Sequence, residues 1–453
     1  MRRLSSRETT IKPQFHQAAG WAIMCLLLAI TASLTGCQDG TLQQFISPLA
    51  SENDGQSTGQ PEIIIKPTAT SAVSAEAVEQ IITLWLPPQF APDETSSAGA
   101  LLQTALQSFA EQHPGVQIHV RIKSASGASG LLSSLSAASA AAPAALPSIV
   151  ALSRPDLETA VLKDLVIPLN NIPALDDEQD WYPYAHELGR VQGVVYGAPF
   201  AGDVPLLVYR PVNIGIPPTS WDTILRRGQP LLFAAADYQG LLSLAMYQSL
   251  GGKIADEQNR PMLEQSALEA VLDFYALGGQ QGIFPSWVAQ YQTEEQVWKA
   301  YQEQRANWAV TWSSNYLNHL PVDTIAAPLP ALGDIPPATA TGWLWAISEP
   351  DPNLQPLCSE LIAMLVSAEF LQDWGVSSDY LPVRPSTVEA IPNKTISALI
   401  EQVAIAATPR PENHIISALG PLLRDTCVDV IANRRDTEQS ARAAVDVLNS
   451  LRQ

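Results

Sequence analysis

Apolar positions fall into three regimes along this chain. Residues 22–34 (AIMCLLLAITASL) form one continuous apolar run. Residues 38–79 are rich in Ser, Thr, Gly, Gln, Glu and Pro and poor in aromatics; such a stretch buries too little surface to repay ordering, which predicts a disordered tether. From Ile81 the pattern turns periodic. Ile81-Ile82-Thr83-Leu84-Trp85-Leu86 is a β-rich run stopped by Pro87-Pro88. Leu101, Leu102, Ala105, Leu106 and Phe109 recur at helical spacing between Gly99 and His113, and Pro114-Gly115 ends that helix. Val116, Ile118, Val120 and Ile122 then alternate as a strand. A strand–helix–strand unit of this length calls for a parallel pair in an α/β sheet. Residues 147–152 read as another buried strand, and 265–277, 294–304, 356–366 and 437–451 as helices. The Ala/Ser-rich stretch 124–145 stays open between helix and loop.

The run at 22–34 is shorter than the roughly 20 residues that span a bilayer and has the size of a signal-peptide core. Arg2, Arg3, Arg7 and Lys12 precede it against one acid, Glu8. It ends in Leu34-Thr35-Gly36-Cys37, which resembles the bacterial lipobox: a large aliphatic residue, two small ones, then the cysteine that takes the lipid. An uncleaved anchor that happens to end in a cysteine is the alternative. Basic flank, core length and lipobox together point to a cleaved leader (1–36), an acyl chain such as palmitate on Cys37, and a lipid-anchored tether (37–79) at the extracytoplasmic face of the cell membrane. Each buried CH₂ adds about 0.8 kcal/mol, so a multiply acylated Cys37 anchors stably.

The formal charge of −20 becomes −23 once residues 1–36 are removed, because 21 basic and 44 acidic residues remain. Such a surface repels nucleic acid and anionic headgroups. A hydrophobic content of 46% is ample for a core, and the length suggests two or three domains. Cys358 and Cys427 remain beyond Cys25 and Cys37. Export permits a disulfide between them, but two buried thiols are the simpler reading. Metal and dithiol chemistry find no CxxC or HExxH spacing here, and no cofactor is implied.

A series of short motifs then gains meaning from its order. Phe109-Ala110-Glu111-Gln112-His113-Pro114-Gly115-Val116-Gln117-Ile118 is followed by Val195-Tyr196-Gly197-Ala198-Pro199-Phe200 and Leu206-Leu207-Val208-Tyr209-Arg210. Pro217-Pro218-Thr219-Ser220-Trp221-Asp222, Gly251-Gly252 and Asn307-Trp308-Ala309-Val310-Thr311-Trp312 come next, then Ala327-Pro328-Leu329-Pro330, Thr341-Gly342-Trp343-Leu344-Trp345-Ala346-Ile347 and Tyr380-Leu381-Pro382-Val383-Arg384. Together these resemble the extracellular solute-binding proteins of ABC importers, in particular the large family that includes carbohydrate binders. The sequence departs from the family pattern at Ser148, where an acid is usual, and near Ala309, where a glycine and methionine are usual.

The resemblance implies an α/β, two-lobe periplasmic-binding-protein-like fold of type II, with hinge crossings and a ligand cleft between the lobes. One lobe is expected at 80–203 plus 327–378, the other at 204–326 plus 379–453. Closure of the lobes on a solute would be by hinge bending, with strand C-terminal ends facing the cleft. The implied partners are a small solute, by resemblance a sugar or polyol, and membrane permeases; a monomer is expected.

A sugar offers hydroxyls and apolar C–H faces, so its site needs flat aromatic surfaces and planar hydrogen-bonding groups. Trp312 is the leading candidate, against a core residue beneath the hinge. Trp343 begins a strand in a cleft segment, Tyr238 follows the strand Leu231-Leu232-Phe233 beside Asp237 and Gln239, and Tyr380 lies in a hinge crossing. Ser153, Arg154 and Asp156 follow a strand; Arg154 and Asp156 alternatively pair with each other on the surface. Phe200 and Asp203 mark the first crossing, and Phe90 lies in the first strand's loop with Asp93. No catalytic residue is expected. None of the histidines sits in a hydrolase or metal signature, and Gly127-Ala128-Ser129-Gly130 is too short for a nucleophile elbow. The competing readings are a solute sensor of the same fold and, further off, an extracytoplasmic glycosidase with paired carboxylates.

Overall fold

The structure is a computed structural model and describes residues 62–67, 80–170, 172–176, 180–333 and 338–451. The leader, Cys37 and most of the tether therefore lie outside the described residues. Among the described residues thirteen strands occur in chain order: β1 (Glu62–Ile65), β2 (Gln80–Leu86), β3 (Val116–Ile122), β4 (Ile149–Ser153), β5 (Arg190–Val191), β6 (Val194–Val195), β7 (Ala198–Asp203), β8 (Pro205–Tyr209), β9 (Leu231–Leu232), β10 (Trp308–Trp312), β11 (Ile325–Pro328), β12 (Thr339–Ile347) and β13 (Thr408–Pro409).

The first sheet runs β1-β3-β2-β4-β12-β13, with β7 also paired to β12. Strands β2, β3 and β4 are mutually parallel, as the strand–helix–strand pattern requires. The intervening helix Ser97–Gln112 starts where Ser96 accepts the Gly99 N–H, and it buries Leu102, Leu106, Phe109 and Ala110 one turn apart. Gly115, at φ 94°, makes the turn into β3. The 124–145 ambiguity resolves into the helix Leu131–Ala141, held by buried Leu131 and Leu135.

Part of the expected tether belongs to the body. Ile63, Ile64 and Ile65 form β1, antiparallel on the outer edge of β3, because a β-branched run can satisfy an open sheet edge and bury Ile65. Glu62 anchors its start, 3.2 Å from both His119 and Arg121.

The second sheet runs β11-β8-β10-β9. Helices Gln265–Gln280, Asn413–Ile431 and Thr437–Ser450 pack on one another beside it and share its core. The chain passes from first sheet to second through a single residue, Val204, between β7 and β8.

Residues 379–393 and 407–410, grouped by the sequence with the second lobe, join the first sheet's side instead, while the helix Lys394–Ala406 between them also contacts β11 of the second sheet. Leu381 and Gly202 exchange backbone hydrogen bonds of 2.8 and 2.9 Å, and β13 pairs with β12. Arg384 explains the preference: it is 2% exposed, lies 3.9 Å over the Trp181 ring, and donates to the Val366 and Ala174 carbonyls and to Asp180. A buried guanidinium must go where those acceptors are.

Among the described residues no helix is long and apolar enough to cross a membrane, and no group of three or more His, Cys, Asp or Glu is placed to hold a metal. Cys358 and Cys427 are free and buried.

Candidate functional site

The loop after β9 borders an open cavity with polar side chains. Its Asp237, Tyr238 and Gln239, with Gln292, Thr293 and Arg424, line a cavity of about 600 Å³. Asp237 accepts the Gln239 and Leu241 N–H groups at 3.0 Å each, which caps the helix Leu241–Ser249 and fixes the loop. Burial pushes its carboxyl up, against those hydrogen bonds and nearby Arg410. Tyr238 is thereby left 60% exposed, with the Arg424 guanidinium 5.7 Å from its ring centre.

Two glycines let this loop sit directly on the helix Asn413–Ile431. Gly240 adopts φ 59°, and a Cβ on Gly420 would come within 2.7 Å of the Tyr238 and Gln239 carbonyl oxygens. The contact sets Arg424, one turn beyond Gly420, beside Tyr238. Next to the cavity, Thr293 caps the helix Glu294–Gln302. Burial first, then the charges of Asp237, Glu295 and Asp203, push the Glu294 carboxyl up to about 8. Near neutral pH it remains largely protonated, able to donate a hydrogen bond as well as accept one.

Four sequence candidates meet in an aromatic cluster at the end of the first sheet. Phe90 lies edge-on to Phe200 at 5.0 Å and to Trp343 at 5.5 Å, and tilts toward Tyr380 at 5.2 Å. Phe200 stacks on Trp345 at 4.5 Å. Phe90 and Phe200 are buried, so their faces are occupied by other rings; Trp343 and Tyr380 remain half-buried at the cluster's margin. Burial and the neighbouring Asp203 keep the Tyr380 phenol from ionising.

The register of β12 sets Trp343 against Ser153 on β4 and Ala201 on β7. Ser153 caps the helix Arg154–Leu162, accepting the Asp156 N–H at 3.4 Å. The alternative pairing, Arg154 with Asp156 on the surface, does not form. On a helix, residues two apart point apart and residues four apart meet, so Arg154 faces Glu158 at 3.9 Å, both buried. Asp156 is half-buried, its carboxyl raised by burial.

Asp203, 8% exposed, has its carboxylate taken up by the hinge. It accepts the Val204 N–H at 3.1 Å, the Ser313 hydroxyl at 2.6 Å, the Ser314 N–H at 3.0 Å and the Ser314 hydroxyl. Burial raises it to about 6, the hydrogen bonds opposing. Trp312, preceding Ser313, ends β10 half-buried and packs on the second sheet's core. The sequence reading thus reaches Tyr238 and misses Gln292, Thr293, Glu294 and Arg424. For Arg424 a signal exists: Ile415, Ile416, Leu419, Leu423, Cys427 and Val430 mark the buried face of its helix, which leaves Arg424 on the other.

Known proteins share the family and the fold. The sequence profile described as bacterial extracellular solute-binding protein matches residues 104–401, and the chain belongs to that family, whose members work outside the cytoplasm. The fold is similar to the sugar-binding protein MalE from Xanthomonas citri, at 18% identity and TM-score 0.67 over 82% of this chain and 98% of that one. It is also similar to the maltodextrin-binding protein MalE1 from L. casei BL23, at 13% identity and TM-score 0.66, with the same shares of each chain covered. A third likeness is to the GacH receptor of Streptomyces glaucescens, solved unliganded and with acarbose, at 17% identity and TM-score 0.64, again over 82% and 98%. These likenesses establish the α/β type II binding-protein fold. No curated protein sequence matches the chain.

Proposed function

We propose that this protein is the solute-capturing lipoprotein of an ABC importer, and that it binds a neutral carbohydrate or polyol without converting it. The cavity beside Tyr238 carries the reading: an exposed aromatic ring, amides, a hydroxyl and a guanidinium in one open pocket of about 600 Å³ suit a ring of hydroxyls with apolar faces. The sugars bound by its structural neighbours point the same way. The lobes that close on the solute are taken as 80–203 with 339–410, and 204–328 with 411–451; the first contributes the Trp343–Tyr380 margin and the Ser153–Asp156 helix start, the second Tyr238 and Trp312. Lipid on Cys37 would hold the body at the membrane, where permeases receive the cargo.

Calorimetric titration of the soluble body against sugars and polyols tests this. A dissociation constant near 1 μM, about −8 kcal/mol, suits a carrier that must also release. Binding confined to amino acids, metals or polyamines refutes the carbohydrate class, and chemical change in the recovered solute refutes the carrier role. Cys37→Ser should move the protein from membranes to the soluble fraction; retention at the membrane would refute the anchor.

A further inference from the structure

The chain's return from β13 to the helix Asn413–Ile431 passes through Arg410, 6% exposed. Its Nε donates to Gln239 Oε1 at 2.9 Å, and its Nη1 donates to the Pro411 carbonyl at 3.0 Å and to Asn413 Oδ1 at 2.9 Å. Asn413 is held in turn from the first sheet's side. Its amide donates to the Pro155 carbonyl at 2.7 Å and to Thr159 Oγ1 at 3.2 Å, and its backbone N–H donates to Glu158 Oε1 at 2.8 Å. Arg410 is therefore fixed from both sides of the crossing.

A guanidinium donates and never accepts. The atom of the Gln239 amide that meets Arg410 must be the oxygen, so the NH₂ end is turned away from it. Gln239 lines the cavity beside Tyr238, and its Nε2 has no protein partner among the described residues. We infer that Gln239 is a specificity-determining residue, locked by Arg410 as a hydrogen-bond donor toward the bound solute, with Arg410 as its positioning residue. The inference rests on the cavity being the solute site and deepens that reading: the solute presents an acceptor oxygen at this point, a hydroxyl, ring, glycosidic or carbonyl oxygen. A solute that offers only an ammonium there leaves two donors facing each other and is rejected.

The test uses Gln239→Glu in the full chain. The carboxylate keeps and strengthens the Arg410 contact, but turns an acceptor instead of a donor to the cavity. Titrations use maltose, maltotetraose and α-D-tagatose, with thermal melting alongside. The expected result is a tenfold or greater loss of affinity for whichever sugar the parent binds, at unchanged or raised melting temperature. Arg410→Lys, also donor-only, should stay within a few-fold of the parent, whereas Arg410→Gln, which lets the amide at 239 rotate, should fall between. Affinity of Gln239→Glu within twofold of the parent overturns the inference. If the parent binds none of the three sugars, the carbohydrate reading loses its support, and the orientation is decided independently by neutron crystallography of the perdeuterated, unsubstituted chain. Deuterons on the Gln239 amide atom that faces Arg410 overturn the lock; deuterons on the atom turned away from Arg410 sustain it.

Discussion

Asp203 gives the sharpest quantitative expectation. Its Oδ1 receives three donors and its Oδ2 one hydroxyl. Asn in its place can reproduce that pattern, with its carbonyl taking the three donors and its NH₂ donating to a reoriented Ser314 hydroxyl. What Asn lacks is the titration. A carboxyl raised from 3.8 to about 6 on folding contributes stability that is fully present below pH 3.8 and is lost as pH rises through about 6, because the unfolded chain ionises first. That rise corresponds to about 3 kcal/mol, an upper figure. Asp203→Asn should therefore match the parent near pH 4 and exceed it by up to about 3 kcal/mol at pH 8. Urea unfolding at pH 4, 6 and 8 measures the difference; carboxyls that do not sense Asp203 cancel between the two proteins, and Glu294, which does, moves the difference in the same direction. Asp203→Ala, which also lacks the titration but leaves the Ser313 hydroxyl and the Ser314 N–H without their acceptor, should lie about 2–5 kcal/mol below Asp203→Asn at every pH. Parallel pH profiles for parent and Asp203→Asn would refute the reasoning, as would an Asn variant less stable at pH 8.

Glu294 follows the same sign: raised from 4.5 to about 8, it contributes stability that is lost as pH rises across that window, so Glu294→Gln should flatten the melting-temperature profile between pH 5 and 9. Phe90→Ala, by emptying the centre of the aromatic cluster, should destabilise by about 3–5 kcal/mol in chemical unfolding. Gly420→Ala should both destabilise the fold and weaken solute binding, since its methyl meets the backbone of the Tyr238 loop; normal calorimetric affinity would contradict that contact. Burial pushes both Cys358 and Cys427 up to about 12, so a thiol reagent should label them only after unfolding, which colorimetric titration with and without denaturant would show.

The parts of the fold that depend on local periodicity were legible in the sequence. The unit from Ile81 to Ile122 shows this, since its strands and helix carry their own apolar period. The helix Asn413–Ile431 was obscured by Pro421, which denies a hydrogen bond to the turn before it while the buried face continues on both sides. The pairing of Arg154 with Glu158 rather than Asp156 was legible in principle, because it needs only the helical step. Asp203 was not: its partners Ser313 and Ser314 are 110 and 111 residues away, and nothing in either segment marks the other. Tyr238 was found through the strand before it, whereas Arg424 reaches the same cavity only through the Gly420 contact, a relation of three-dimensional packing.

The edge strand β1 has a consequence for how this protein behaves in crowded company. Among the described residues, the four of β1 cover the outer rim of β3 over Ile118–Arg121, and they are tied to it by Glu62 and by the Gln107 amide donating to the Lys66 carbonyl at 3.0 Å. A four-residue ladder at a sheet edge opens at lower free energy than the strands inside the sheet. Each opening bares a row of unsatisfied N–H and C=O groups on a strand of alternating apolar residues, a template for pairing with a second copy. Resistance to strand-mediated aggregation is thus vested in Glu62–Ile65, and the colloidal lifetime of the protein depends on a four-residue segment at the rim of the first sheet.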